Sequence, residues 1–513
     1  MTTAFATVVA LLALSAAGLV PVVATVGTRW VALPLLPLAG SVVAGLATAG
    51  SVSFGGPLLD WFVGLAVAGA LAVFVVWVVR PELGPWTGPA GRRKGEGRQR
   101  VAGAVGFVAV VVACAWTLRG LKTPTVGFDA RALWVMRPGW FLQSHGQLLV
   151  DLRARGFVIG QSAYPPLVSS AVAVAWRVTG VHTARVGVTT VALLNACALG
   201  VAAVAVVDLG RDAAVRLARR PDTAEGDVPL RPPAGPMVAG VVVAVLLVLV
   251  AGGVTEPFLT NGYADPIWSL AAVGAVAYGL QSGLDRSTGA VAAVLVLVAG
   301  LSKNEGLVCA LALVVLLAAR SVGAAGLRGD RTRWRVPVVV AAVEVALLAW
   351  WPVLMHAIGA RGASTAFTTS DGVAGRTSAV VHGMSPYLHV LVLAVPLAVV
   401  GGLALSTVRR RAGVGNDLWA WLALAVGLVA VGGALVTGSG AIVPWIRSTV
   451  HRITEYPVLQ AWWIVGAWGV VALCGLARPR PVRQPDGDDG ALASSLDGPV
   501  LDREAAPAHG ALG

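Results

Sequence analysis

Four stretches of this chain carry residue types able to do acid–base or anion chemistry. The first is Gly127-Phe128-Asp129-Ala130-Arg131-Ala132-Leu133-Trp134, which follows an apolar run. A carboxylate held at the mouth of a helix bundle can take the proton from an attacking hydroxyl, so Asp129 is the candidate base. Arg131 beside it and Tyr164, which opens Tyr164-Pro165-Pro166-Leu167, are candidate substrate contacts. Trp134, Arg137, Trp140 and Phe141 add the mixture of charge and aromatic surface that suits stacking on a sugar. The bland alternative is an interfacial aromatic belt with an orienting Asp–Arg pair.

The second stretch, Thr255 to Pro266, places Glu256, Asn261 and Asp265 just before Pro257, Gly262 and Pro266 respectively, residues that punctuate a helix junction. Ionisable groups at membrane depth cost about 2.5–3.5 kcal/mol on insertion scales, so they tend to face a cavity or a partner. Capping of the next helix by Asp265 is the competing explanation. The third stretch, Ser302-Lys303-Asn304-Glu305-Gly306, is a polar break between two short apolar runs, an arrangement that builds sites inside membranes. There Lys303 can neutralise a lipid phosphate, with Asn304 and Glu305 binding substrate or ordering the lysine; a tight turn with a local Lys–Glu pair is the rival reading. The fourth runs from Trp445 to Pro457, where Arg447, His451 and Arg452 fall about a helical turn apart and would aim cations at one phosphate-sized target. Binding of lipid headgroups is the alternative there.

These stretches have to be positioned by a membrane fold. The chain has 513 residues, of which 57% are hydrophobic and 12% charged, more apolar than a soluble core of this length requires. Apolar runs of roughly 17–25 residues recur from end to end, which predicts a polytopic all-α bundle. The net charge of +13 resides mostly in loops, where it reads as membrane topology and not as a nucleic-acid footprint. Cys114, Cys197, Cys309 and Cys474 lie in or at the end of apolar runs without Cys-x-x-Cys spacing, as packing residues do. With no basic residue before it, the first run is expected to stay as a membrane helix.

Spans are expected near residues 5–27, 31–50, 57–79, 101–118, 184–208, 236–254, 264–282, 288–302, 305–320, 336–355, 387–406, 418–437 and 459–478. Basic clusters at Arg92–Arg100, Arg211–Arg220, Arg328–Arg335, Arg409–Arg411 and Arg478–Arg483 then all fall on the cytoplasmic side. That alternation holds only if residues 165–180 do not cross, which makes them a helix lying at the outer interface, started by Pro165-Pro166. All four reactive stretches lie on the outer side. By domain, residues 1–100 hold accessory helices and a basic loop, 101–478 the catalytic membrane domain, and 479–513 a disordered tail.

This pattern resembles the GT-C superfamily of membrane glycosyltransferases, in the branch of the protein O-mannosyltransferases and the aminoarabinose transferase of lipid A. The resemblance rests on Asp129 in the first large outer loop, Tyr164 to Leu167 at the start of an interfacial helix, Ala184-Arg185 before the next span, and Ser302-Lys303 late in the bundle. It covers roughly residues 101–320. The acidic pair common near the loop Asp in the mannosyltransferases is absent, because Ala130 follows Asp129.

The resemblance implies a polyprenyl-phosphate sugar donor and inverting transfer to a glycan, lipid or protein acceptor of the cell envelope. Asp129 would be the base. Lys303, Arg447, His451 and Arg452 would hold the donor phosphate, and Arg131, Tyr164, Glu256, Asn261, Asp265, Asn304 and Glu305 would contact substrate. No cofactor is required by the sequence, and a divalent metal is left open. Membrane lipids are expected partners, and nucleic acid is not. The enzyme would be a multi-pass protein of the plasma membrane with its site on the extracytoplasmic side. A transporter or lipid-linked sugar flippase is the rival class, disfavoured by the lack of an internal repeat and by the long outer loop; an assembly subunit of an envelope complex is a third.

Overall fold

The computed structural model describes residues 2–26, 29–79, 96–122, 125–127, 130–153, 163–218, 235–256, 258–281, 286–327, 334–360, 373–404, 417–437 and 449–476. Asp129, Arg447, most of the basic loops and the C-terminal tail lie outside them. Among the described residues every regular element is helical. With no water in hydrocarbon to take up backbone N–H and C=O groups, an apolar chain of this kind closes its hydrogen bonds within helices.

The elements are α1 (Thr3–Val26), α2 (Ala32–Phe54), α3 (Leu58–Val79), α4 (Glu96–Thr117), α5 (Arg137–Trp140), α6 (His145–Arg153), α7 (Leu167–Thr179), α8 (Ala184–Ala218), α9 (Gly235–Val254), α10 (Asp265–Gln281), α11 (Arg286–Ser302), α12 (Asn304–Leu327), α13 (Arg335–Ala357), α14 (Val373–Met384), α15 (Val390–Ala404), α16 (Asp417–Thr437) and α17 (Glu455–Leu476). A helix overlaps each expected span, but those near 264–282, 288–302, 387–406 and 418–437 are not among the described helices long and apolar enough to cross a membrane. Among the described residues, nine helices are long and apolar enough to cross a membrane. The chain is thus an α-helical membrane bundle.

Helix α8 is its spine, packed against α2, α4, α7, α9, α10 and α17. At the periphery α3 buries only Leu58 and Phe62 and turns Val67, Leu71, Phe74 and Val78 outward, the surface a helix presents to lipid. Helices α1 and α2 cross at very short range. A Cβ on Gly40 would sit 1.8 Å from the Leu14 carbonyl oxygen, and one on Gly18 would sit 2.3 Å from that of Leu36. Small residues let membrane helices pack backbone to backbone, where dispersion contacts replace the missing hydrophobic drive.

Helix α7 departs from expectation. Its thirteen residues are too few to cross a membrane, and it is covered by protein and not exposed. Residues Leu167 to Trp176 are all buried, enclosed by α1, α2 and α8. An interfacial helix needs a charged face for the headgroups. Before Arg177 this one offers only aliphatic residues, one Trp and two serines, and the serines are met inside the protein: Ser170 Oγ lies 2.5 Å from Thr48 Oγ1 on α2, and Ser169 donates to the Leu133 carbonyl at 3.3 Å.

Polar ties mark the end of the bundle opposite the start of α10. Arg29, between α1 and α2, reaches Asp208 of α8 at 2.9 Å, and the Tyr278 hydroxyl donates to the same carboxylate at 3.1 Å. Arg320 of α12 donates to the carbonyls of Gly279 and Leu280, closing the C-terminal turn of α10. The first two helices are therefore bonded into the same compact unit, Met1–Ala477, as the rest.

Candidate functional site

At the other end of α10 the chain makes a turn before the helix begins, and the turn is fixed from below. Asn195 of α8 donates through Nδ2 to the carbonyls of Leu259 and Tyr263, both at 3.2 Å. The turn presents Asn261 and Tyr263 and delivers Asp265 as the first residue of α10. Across from it, α11 ends at Ser302 and α12 starts at Asn304, which leaves Lys303 at the break. The Lys303 carbonyl accepts from Leu307 N at 2.8 Å, so the second helix starts at once and the lysine stem is held against the bundle.

The side chains converge. Lys303 Nζ lies 2.5 Å from Asp265 Oδ1 and 3.7 Å from Glu305 Oε1. Arg452 Nη1 approaches Asp265 Oδ2 at 3.8 Å, and its guanidinium covers the Tyr263 ring, 4.8 Å from the centroid, with Phe258 at 6.0 Å. All four charged residues are buried. Ions removed from water demand opposite charges and full hydrogen bonding, and one carboxylate shared by two cations meets the first demand. At the edge of this group His451 packs 5.1 Å from Phe258 and 6.3 Å from Tyr387.

Of the residues expected from the sequence, Asn261, Asp265, Lys303, Glu305, His451 and Arg452 are thus brought to one end of the bundle. Four others are not part of the cluster. Glu256 is exposed and faces Arg119 at 3.9 Å, Asn304 is exposed although its neighbours on both sides are buried, and Arg131 is exposed on the short π-helical turn Ala130–Val135. Tyr164 packs edge-on to Trp134 at 5.8 Å, and its carbonyl accepts from Arg137 Nη2 at 2.6 Å, so it braces the entry to α7. Arg137 is itself buried between the rings of Phe141 and Trp351, and burial lowers its pKa to about 9, which keeps it charged at neutral pH.

Asp129 and Arg447 lie outside the described residues, but the chain on either side of Phe128-Asp129 rests on the same turn. Gly127 N donates to the Asn261 carbonyl at 3.1 Å, and a Cβ on Gly127 would fall 2.0 Å from the Tyr263 ring. On the other side, Ala130 Cβ lies 3.0 Å from the Cβ position of Gly262. The backbone of the first reactive stretch is thereby joined to the second.

One member of the site is new. Glu455, the first residue of α17, is 1% exposed and within electrostatic reach of Asp265, Lys303 and Arg452. Its signal in the sequence was its place three residues after Arg452, one helical turn on, which is indistinguishable from an acidic residue capping a helix start. Among the described residues there is no group of three or more His, Cys, Asp or Glu side chains able to hold a metal ion. A small apolar cavity of about 30 Å³ lies deeper between α8, α9, α10 and α17, lined by Leu199, Val248, Ala251, Leu270, Leu459 and Trp463 among others. It has room for about one water, and its lining is almost wholly apolar, too poor in polar partners to hold one, which makes it a packing gap. No known protein family, curated protein or solved structure matches this chain.

Proposed function

We propose that this chain is a multi-pass glycosyltransferase of the plasma membrane that moves a sugar from a polyprenyl-phosphate donor to a cell-envelope acceptor on the extracytoplasmic face. The observation that carries the reading is the buried Asp265–Lys303–Arg452 cluster at one end of a membrane bundle, joined by backbone contact to the segment that contains Asp129. Transfer from a lipid phosphate needs cations for the departing phosphate and a base for the attacking hydroxyl. In this scheme the acceptor O–H gives its proton to the Asp129 carboxylate. Its oxygen bonds to the anomeric carbon, and the bond from that carbon to the phosphate oxygen breaks, leaving the electron pair on the polyprenyl phosphate. Arg452 and Lys303 neutralise that charge, with His451 and Arg447 beside Arg452 in the chain. The acidic residues around Lys303 keep it charged and oriented before the donor arrives.

The test uses membrane vesicles that contain the full chain, supplied with labelled polyprenyl-phosphate sugars. Label transferred to an envelope glycan, lipid or protein supports the enzyme. Label that crosses the bilayer and stays on the donor would establish the rival reading, a flippase, for which the same buried charges would be a transport site.

A further inference from the structure

The polar atoms left unmatched around Lys303 are of one kind. Asn261 Oδ1, Asp265 Oδ2, Glu305 Oε2 and both carboxylate oxygens of Glu455 are buried and have no hydrogen-bond donor among the described residues. Every one of them can accept a hydrogen bond. Groups that can donate are unmatched too, at Trp268 and Ser269 one turn into α10, at Trp351 on α13 and at Gln460 and Trp463 on α17. A buried polar atom without a partner has lost the hydrogen bonds that water gave it, so five in one layer point to a donor beyond the described residues.

The chemistry of that partner follows from the balance. A phosphate brings only acceptor oxygens and cannot satisfy carboxylates, which accept and never donate when ionised. The layer already contains its own cations, since Lys303 is engaged by Asp265 and Glu305 and Arg452 faces Asp265. A second ammonium would be placed beside these two like charges. The remaining class is a neutral group with several O–H donors.

We infer that Glu455, together with Glu305 and Asn261, binds the hydroxyl groups of the sugar, so that this layer selects the glycosyl unit of the donor and not its phosphate. The inference rests on the glycosyltransferase reading and adds to it a specificity residue, Glu455.

The experiment measures affinities of the purified full-length chain in nanodiscs for farnesyl phosphate and for its mannosyl, glucosyl and arabinosyl esters. At least one ester should bind about tenfold or more tightly than farnesyl phosphate. Glu455→Gln, which replaces one acceptor oxygen by a donor, should remove most of that difference and leave the affinity for farnesyl phosphate unchanged. The wild-type comparison stands even if the variant does not fold. If farnesyl phosphate binds and no ester improves on it, the inference is overturned while the lipid-phosphate reading survives; if none of the four compounds binds, both fall. Stabilisation by sodium or methylammonium ions, with none from the esters, would identify a cation as the missing donor and also overturn it.

Discussion

Lys303 Nζ sits 2.5 Å from Asp265 Oδ1, an ion pair that spans thirty-eight residues of sequence and ties the start of α10 to the break between α11 and α12. Both partners are buried, so each is the reason the other can stay charged. Removing one partner of a buried pair typically costs about 3–5 kcal/mol, because the survivor remains as an uncompensated ion. Lys303→Met should therefore lower the melting temperature of the detergent-solubilised protein sharply. Adding Asp265→Leu to it should recover part of the loss, although the double variant should be inactive. A double variant no more stable than Lys303→Met would show that the two residues are not energetically paired.

Asp129→Asn keeps the size of the side chain and removes its basicity. Loss of a general base costs typically 10²–10⁴-fold in rate. The variant should accumulate to wild-type levels in the membrane and yield no detectable envelope product. Full activity in Asp129→Asn sinks its assignment as the base and would direct attention to the carboxylates around Lys303.

The parts of this site legible in the sequence were those that violate the rules of their surroundings. Lys303, Glu305 and Asp265 stood out because charges between apolar runs are costly, and Arg452 because positive charge ran against the expected topology. Those violations carried real information, and the residues meet in space. Glu256 and Asn304 carry the same signal and are exposed, because a carboxylate or an amide in a polar turn reads alike whether it faces the cluster or the surroundings. Glu455 was invisible for the opposite reason: an acidic residue at a helix start is ordinary. The burial of α7 was not legible either. Charge alternation keeps residues 165–180 from crossing but says nothing of what covers them, and the partners of Ser169 and Ser170, Leu133 and Thr48, reveal that the helix is enclosed.

Gly127 supplies a test of the join between the Asp129 segment and the cluster. Its missing Cβ is what lets the backbone lie against Tyr263, the ring beneath Arg452. Gly127→Ala must displace either the segment or the ring, and a displacement near 1 Å at a reacting centre can cost on the order of 10²-fold. Product formation should fall steeply while abundance and melting temperature change little. Full activity in this variant would mean that the contact has no functional consequence.

The crossing of α1 and α2 supports a prediction about stability alone. A methyl group on Gly40 would meet the Leu14 carbonyl, which is backbone and cannot rotate aside, so the two helices must separate. Overpacking of a well-fitted core costs typically about 1–3 kcal/mol, and more where the obstacle is main chain. Separation here would also strain the Arg29–Asp208 pair, because Arg29 lies in the link between these helices. Gly40→Ala should lower the melting temperature and the amount of protein recovered from the membrane. Gly64→Ala is the control: it lies inside α3, where an added Cβ meets nothing within 4 Å. Alanine there should be neutral or slightly stabilising, since it restricts the unfolded chain. Equal melting temperatures for the two variants would refute the close crossing.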